Sequence, residues 1–135
     1  GVSQAARLEE ILAMRTDVAQ RYHQRLAGID GVSLPFTADY AKISWFIYVI
    51  RLAAGIDRDK VMQALTDNDI GCRPYFTPIH LQPFFREMFG YKDGDFPVTE
   101  QVAKSTIALP FYNRITDEQI DYVADMLEKA IRQQR

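Results

Sequence analysis

The run from Ile43 to Leu52 places β-branched or aromatic residues on both faces of an extended chain. Successive side chains in a strand point to opposite faces, so a strand that is apolar on both faces needs packing partners on both. We therefore predict that this run is a central, doubly covered strand. The chain has 135 residues and 47% of them are hydrophobic. A chain of this size can bury roughly two thirds of its surface in one domain without a disulfide or a metal.

Three segments have the periodicity of amphipathic helices. Residues 3–27 carry apolar side chains near helical spacing and end before Gly28, which can adopt the left-handed conformation of a helix stop. A second helix is predicted from the N-cap Asp57 to about Asp67. The last helix opens on the capping box Thr116-Asp117-Glu118-Gln119. Its predicted buried stripe consists of Ile120, Val123, Leu127 and Ile131.

Shorter extended segments complete a sheet. We predict strands at Val32–Phe36, at residues 70–76 and at residues 107–110. Pro74 lacks the N–H that a strand ladder needs, so the strand that contains it belongs at a sheet edge or strand end. The order of these segments predicts one domain, residues 1–135. It is an α/β sandwich with a small, mostly antiparallel sheet and helices mainly on one face.

Two short helices are predicted between the last two strands. The first runs to a stop at Gly90, and a polar turn, Tyr91–Asp95, follows it. The second begins at Pro97, with Val98 and Val102 facing inward. These helices carry the chain away from the sheet and then back to it.

Charge and composition argue against several classes of protein. The net charge is −2, whereas a nucleic-acid binder usually has a basic face, so no nucleic-acid partner is expected. No apolar run approaches the roughly 20 residues that span a bilayer, so we expect a soluble protein without a membrane partner. Cys72 is the single cysteine and no signal peptide opens the chain, which predicts a reducing, cytoplasmic location.

One loop has the composition of a ligand site. His80 follows Tyr75 and Phe76 and lies between Pro78 and Pro83, so prolines restrict the backbone while aromatic rings supply flat walls. Such a loop can hold the imidazole in place for a ligand. It can equally cap a core, with His80 bonded to a nearby carbonyl. The residues alone leave both interpretations open.

The remaining reactive residue types predict no further site. Cys72 and His80 are too few for a zinc site, which needs three or four ligands, and the other histidine, His23, is predicted on a helix surface. Acid pairs such as Glu9-Glu10 fall at helix surfaces, helix starts or turns, where carboxylates have ordinary structural uses. The lysines lie at strand edges, turns and polar helix faces. No glycine-rich phosphate loop or nucleophile elbow occurs.

Several motifs follow one another along the chain. Arg73-Pro74-Tyr75 precedes Pro78-Ile79-His80-Leu81-Gln82-Pro83, and then come Gly94-Asp95-Phe96-Pro97 with Glu100, and Leu109-Pro110 before the last helix. This order resembles the DegT/DnrJ/EryC1/StrS family of sugar aminotransferases. Residues 1–27 are similar to the long helix that links the family's two domains, and the chain begins inside it without a methionine. We therefore expect the C-terminal, small domain of a longer protein.

The resemblance implies a pyridoxal-phosphate enzyme of the aspartate-aminotransferase fold. Family members move an amino group from an amino acid, usually glutamate, to a keto sugar on a nucleotide diphosphate, as in polysaccharide biosynthesis. Their Schiff-base lysine and their cofactor contacts belong to the large domain. We therefore assign no catalytic, cofactor or metal residue here, and we expect the chain alone to be inactive and without cofactor. Family members are generally homodimers.

The resemblance also implies roles for three residues near the active-site mouth. His80 would hydrogen-bond the substrate, Tyr75 would pack against it, and Arg73 would help to balance phosphate charge. Two alternatives stay open. One is a non-catalytic ligand-binding or regulatory α/β module. The other is a related dehydratase in which the lysine is replaced.

Overall fold

One antiparallel sheet of four short strands organises the computed structural model, which describes residues 1–134. The strands are β1 (Val32–Ser33), β2 (Tyr48–Leu52), β3 (Arg73–Pro74) and β4 (Thr106–Leu109), in the spatial order β1-β2-β4-β3. Each neighbouring pair is antiparallel. The predicted fold class is confirmed. Strand β3 lies at a sheet edge, where Pro74 is tolerated because one side of an edge strand makes no ladder bonds.

Strand β4, and not β2, is buried on both faces. The four residues of β4 are between 0% and 7% exposed. In β2, Tyr48 and Ile50 are buried but the intervening Val49 is only partly buried, and Arg51 is exposed. Strand β2 is central in the sheet, as predicted, but the prediction that residues 43–52 form one doubly covered strand was wrong. The chain before Tyr48 does not extend the strand, because Trp45 turns back and stacks on the Tyr48 ring at 5.8 Å between centroids.

Helices cover the face of the sheet that Tyr48, Ile50 and Leu52 share. In chain order the helices are α1 (Val2–Ala5), α2 (Leu8–Leu26), α3 (Arg58–Asp67), α4 (Pro83–Phe89), α5 (Pro97–Ser105) and α6 (Asp117–Arg132), with a 3₁₀ turn at Ile79–Leu81. Side chains from α2, α3 and α6 meet that face in one apolar core. Ile107 and Leu109 of β4 belong to the same core because they pair with Ile50 and Tyr48.

The two helices predicted from their caps are confirmed. The Asp57 carboxylate accepts hydrogen bonds from the backbone N–H groups of Asp59 and Lys60 at the start of α3. At the start of α6, the side chains of Thr116 and Gln119 bond each other's backbone N–H. The predicted apolar stripe of α6 is buried. These caps satisfy N–H groups that the first helical turn leaves without partners.

The helix predicted over residues 3–27 is interrupted near its beginning. Arg7 leaves the helical region, with φ −112° and ψ 14°, and separates α1 from α2. No side chain caps either helix, so nothing stabilises a continuous first turn. The Arg7 guanidinium instead bonds both carboxylate oxygens of Glu10, at 2.9 and 3.0 Å. The helix ends at Leu26, one residue before the predicted end, and Gly28 is not in the left-handed conformation, so the predicted glycine stop was wrong.

The outer strands are shorter than predicted. Strand β1 stops at Ser33, before Leu34 and Pro35, and the segment predicted over residues 70–76 forms a ladder only at Arg73–Pro74. Proline removes a ladder donor in both places, which limits the pairing. Among residues 1–134, no helix has both the length and the apolar character needed to cross a bilayer.

Candidate functional site

A cleft of about 790 Å³ opens beside the 3₁₀ turn that carries His80. Its walls are mainly aromatic and aliphatic. They are formed by Tyr75, Phe76, Pro78, Ile79, His80, Phe85, Phe89, Tyr91, Phe96, Val98, Thr99, Val102 and Ala103. None of these residues is an aspartate, glutamate, lysine or arginine. An apolar cleft with few polar groups is the usual form of a small-molecule site, in which the polar groups fix orientation.

The cleft walls are brought together by one hydrogen bond between distant residues and by turns at the ends of α4 and α5. The Tyr75 carbonyl accepts a hydrogen bond from the Thr106 hydroxyl at 2.8 Å, which ties the chain after β3 to the start of β4. Pro83 opens α4, and Gly90 ends it in the left-handed conformation with φ +72°. Pro97 then opens α5. Proline suits the first position of a helix and glycine the left-handed stop, so the sequence itself sets these turns.

His80 and Glu100 form a buried pair at the cleft. His80 is 7% exposed and Glu100 is 8% exposed. The His80 Nε2 lies 3.0 Å from a Glu100 carboxylate oxygen. The same carboxylate accepts hydrogen bonds from the Gly94 N–H, which is 3.0 Å from both oxygens, and from the Phe96 N–H at 3.2 Å. One side chain thus joins the 3₁₀ turn, the loop before α5 and α5 itself.

These contacts favour the ionised form of Glu100. The hydrogen bond from His80 lowers the pKa of this carboxyl below its ordinary value, and the Gly94 and Phe96 N–H groups lower it further. An ionised carboxylate can only accept hydrogen bonds, so Nε2 of His80 carries the shared proton. Charge-assisted hydrogen bonds of this kind are stronger than neutral ones.

Aromatic rings enclose the imidazole on its other sides. The Phe96 ring centroid is 4.7 Å from that of His80, and the Tyr91 ring meets the imidazole edge-on at 6.4 Å. Tyr91 in turn packs against Phe89 and Phe96. The imidazole therefore has a fixed position in the cleft.

The structure places the three predicted site residues differently. His80 and Tyr75 line the same cleft, whereas Arg73 is exposed on β3 and is not among the lining residues. His23 is exposed on α2. Cys72 is buried and lies outside the cleft lining, and burial raises the pKa of its thiol, which opposes a nucleophilic role. Within residues 1–134 no group of three or more His, Cys, Asp or Glu side chains could hold a metal ion.

Sequence reasoning missed the role of Glu100. We predicted that Val98 and Val102 face inward on α5, but Val98 is 74% exposed and Glu100 is the buried residue of this helix. Glu100 faces inward because its carboxylate accepts hydrogen bonds from His80, Gly94 and Phe96. The sequence contained Glu100 in the ordered motif with Gly94-Asp95-Phe96-Pro97, but the motif alone does not identify the partners of the carboxylate.

The residues of this chain do not fit a pyridoxal-phosphate site. The cofactor is held as a Schiff base on a lysine amine. All five lysines, Lys42, Lys60, Lys92, Lys104 and Lys129, are exposed, and none lines the His80 cleft.

Solved aminotransferase structures share this fold. The crystal structure of DesI, determined in the presence of its TDP-sugar product, matches with a TM-score of 0.84 at 26% identity, over 99% of this chain and 35% of DesI. The aminotransferase TlmJ from Streptoalloteichus hindustanus also matches with a TM-score of 0.84, at 25% identity, over 98% of this chain and 35% of that chain. The chain thus has the fold of one part of the aminotransferases that share the pyridoxal-phosphate-dependent fold.

Sequence comparison gives the family. Residues 1–128 match the profile of the DegT/DnrJ/EryC1/StrS aminotransferase family, and the chain belongs to this family. The spore coat polysaccharide biosynthesis protein SpsC of Bacillus subtilis is 32% identical over 136 residues, which cover 98% of this chain and 35% of SpsC. The chain spans about a third of the length of the curated relatives that it matches.

Proposed function

We propose that this chain is the C-terminal domain of a pyridoxal-phosphate-dependent sugar aminotransferase. The enzyme transfers an amino group from an amino acid, glutamate, to a keto sugar linked to a nucleotide. Family membership over residues 1–128 supports the reaction class, and the match to a third of each relative supports the assignment to one domain. The amino donor and a homodimer remain predictions from the family resemblance, and a cytoplasmic location remains a prediction from the sequence.

The observation that carries the proposal is the His80 cleft. It combines an apolar, aromatic wall with one fixed imidazole, and such a surface suits a sugar ring, whose faces are apolar and whose hydroxyls hydrogen-bond. We assign His80 to a hydrogen bond with the substrate and Tyr75 to packing against it. Arg73 lies outside the cleft lining, so we assign it to the phosphate charge of the nucleotide portion rather than to the sugar.

The direct test is the His80→Ala variant of the full-length enzyme. Loss of one well-placed substrate hydrogen bond should raise the KM for the sugar nucleotide about tenfold, since ~1.4 kcal/mol corresponds to a factor of ten. His23→Ala is the matched control, because His23 is the other histidine and is exposed on α2. Unchanged KM and kcat in His80→Ala would refute the assignment of His80.

A second test concerns the chain by itself. We propose that it neither binds pyridoxal phosphate nor transaminates, because its lysines are exposed and outside the cleft. The chain should therefore show no absorbance band of a lysine-linked cofactor after incubation with pyridoxal phosphate and removal of the excess. A stable band, together with cofactor that borohydride reduction attaches covalently to a lysine of residues 1–134, would contradict this.

A further inference from the structure

We infer that Glu100 is a positioning residue for substrate recognition, acting through His80 and through the backbone of the loop before α5. The inference rests on the function proposed above and names a residue to which no role has been assigned. Glu100 itself does not line the cleft, whereas His80 does. Any effect of Glu100 on a ligand in the cleft therefore passes through the groups that Glu100 holds.

The first of these groups is the imidazole. The ionised Glu100 carboxylate accepts the Nε2 proton of His80 at 3.0 Å, which selects one ring orientation and keeps Nε2 occupied. The ring nitrogen left for a ligand is then always Nδ1. A histidine whose second nitrogen is fixed by a carboxylate has a defined tautomer and direction, as seen for histidines that bind metals.

The second group is the wall opposite the imidazole. Residues 91–96 form neither helix nor strand. The carboxylate of Glu100 nevertheless binds two N–H groups of this loop, those of Gly94 and Phe96. Tyr91 and Phe96, at the two ends of the loop, supply rings that contact His80. Glu100 therefore sets the distance between the imidazole and the aromatic wall.

The chemistry of a carboxylate explains why glutamine is not equivalent here. Three N–H groups donate to Glu100, the backbone N–H groups of Gly94 and Phe96 and the imidazole N–H, and the Gly94 N–H is shared between both carboxylate oxygens. A carboxylate offers two acceptor oxygens, whereas an amide offers one oxygen and one NH₂ that would face another donor. Glu100→Gln keeps the shape of the side chain, but it removes the charge and places an NH₂ group where the second oxygen accepts from the Gly94 N–H.

The spectroscopic test uses this chain labelled with ¹⁵N at histidine. The chain has two histidines, so the exposed His23 is an internal reference. We expect His80 to show one tautomer protonated at Nε2, while His23 averages between tautomers. In Glu100→Gln the His80 signals should move toward averaged values and the exchange of the Gly94 and Phe96 amides should accelerate at least tenfold. Glu87→Gln, an exposed glutamate on α4, is the matched control and should change neither readout.

The kinetic test uses the full-length enzyme. Glu100→Gln should raise the KM for the sugar nucleotide about tenfold with kcat changed less than about threefold. The double variant His80→Ala/Glu100→Gln should have a KM well below the product of the two single effects, because the part of the Glu100 effect that acts through His80 is lost with the imidazole. If Glu100→Gln does not fold, Glu100→Asp keeps the charge but shortens the side chain by one methylene, and the same comparison applies.

The outcomes separate the two proposals. If His80→Ala leaves KM unchanged, the assignment of His80 to substrate fails, and the positioning role for recognition fails with it whatever the tautomer. If His80→Ala raises KM but the Glu100 variant does not, or if the two effects multiply in the double variant, only the inference about Glu100 is wrong. A fixed His80 tautomer in Glu100→Gln would also overturn it.

Discussion

The molecule has two regions that are held together in different ways. The core layer consists of α2, α3, α6 and the sheet face that they cover, and its buried interior is apolar. The cleft segment, residues 75–103, contains seven of the fourteen large hydrophobic side chains that are exposed. It makes up only about a fifth of the chain, so exposed apolar surface is concentrated there. Patches of this kind usually mark a binding surface.

Polar contacts replace apolar burial in the cleft segment. Glu100 joins the 3₁₀ turn to the loop before α5, and Arg86 joins α4 to Asp93 and to the Leu81 carbonyl. Neither α4 nor the 3₁₀ turn contributes a residue to the apolar core. The comparison indicates that burial in the core layer supplies most of the stability of the domain. The cleft segment leaves its apolar side chains exposed, and hydrogen bonds fix its conformation.

The largest expected effect contrasts one apolar residue from each region. Leu127 on α6 is fully buried, whereas Phe89 on α4 is 57% exposed. Leu127→Ala should lower the free energy of unfolding by about 2–5 kcal/mol, because it removes buried apolar atoms and leaves a cavity in the core. Phe89→Ala should lower it by less than about 1 kcal/mol, since a half-exposed ring loses little burial.

Urea denaturation followed by circular dichroism measures both variants of this pair. The two values must differ by well over the error of the extrapolation for the comparison to hold. If Phe89→Ala proved as destabilising as Leu127→Ala, the cleft segment would be part of the same cooperative core and the contrast between the regions would be wrong.

An effect of intermediate size is expected within the core layer. Two stacked tyrosines there differ in whether their hydroxyl makes a hydrogen bond. The rings of Tyr22 and Tyr48 are 5.0 Å apart and both are fully buried. The Tyr22 hydroxyl donates to the Pro110 carbonyl at 2.7 Å, whereas the Tyr48 hydroxyl has no hydrogen-bond partner among residues 1–134. Burial raises the pKa of Tyr48 to about 12, as expected for a hydroxyl in apolar surroundings.

Replacing each tyrosine by phenylalanine should therefore have opposite consequences. Tyr22→Phe leaves the part-buried Pro110 carbonyl without its partner and should cost about 1 kcal/mol. Tyr48→Phe removes an unsatisfied polar group and should be neutral or stabilising by up to about 1 kcal/mol. Thermal or urea unfolding measures both. A loss of more than about 1 kcal/mol in Tyr48→Phe would show that its hydroxyl is satisfied in solution.

Local signals explain what was predictable from the sequence. Helices α3 and α6 carry their own caps, Asp57 and Thr116 with Gln119, so their starts depend on neighbours in the chain. The edge position of β3 follows from Pro74 in the same way. The family motifs identified the His80 loop because each motif is a short stretch of sequence and the motifs follow one another in a fixed order along the chain.

The remaining features depend on partners that are distant in the sequence. Strand β4 lies between β2 and β3, and its burial on both faces depends on segments that are distant from residues 106–109 in the sequence. Glu100 is buried because His80, twenty residues earlier, donates to it. A polar residue on a helix is ordinarily placed on the solvent side, so the apolar Val98 and Val102 were assigned inward instead. A pairwise contact of this kind becomes visible only in three dimensions.

The smallest effect on global stability is expected from pH and is confined to the cleft segment. The folded structure holds the pKa of Glu100 below its ordinary 4.5, mainly through the hydrogen bond from His80. A carboxyl with a lowered pKa contributes stability that is present above its unfolded pKa and is lost as pH falls through its folded pKa. Arg86 likewise lowers the pKa of Asp93, which Lys104 also faces. Acid should therefore loosen the loop before α5 while the core layer stays folded.

Amide exchange read residue by residue tests this difference between the regions. Between about pH 6 and about pH 3, a range that brackets ordinary carboxyl pKa values, protection of the Gly94 and Phe96 amides should fall relative to amides of α6 around Leu127. The reference amides belong to a helix whose buried stripe contains no titratable side chain. In Glu100→Gln the two loop amides should be poorly protected throughout, with their pH dependence lost. If Gly94 and Phe96 stayed as protected as α6 down to about pH 3, the loop would be held by something other than the ionised carboxylate, and the cleft segment would share the stability of the core layer.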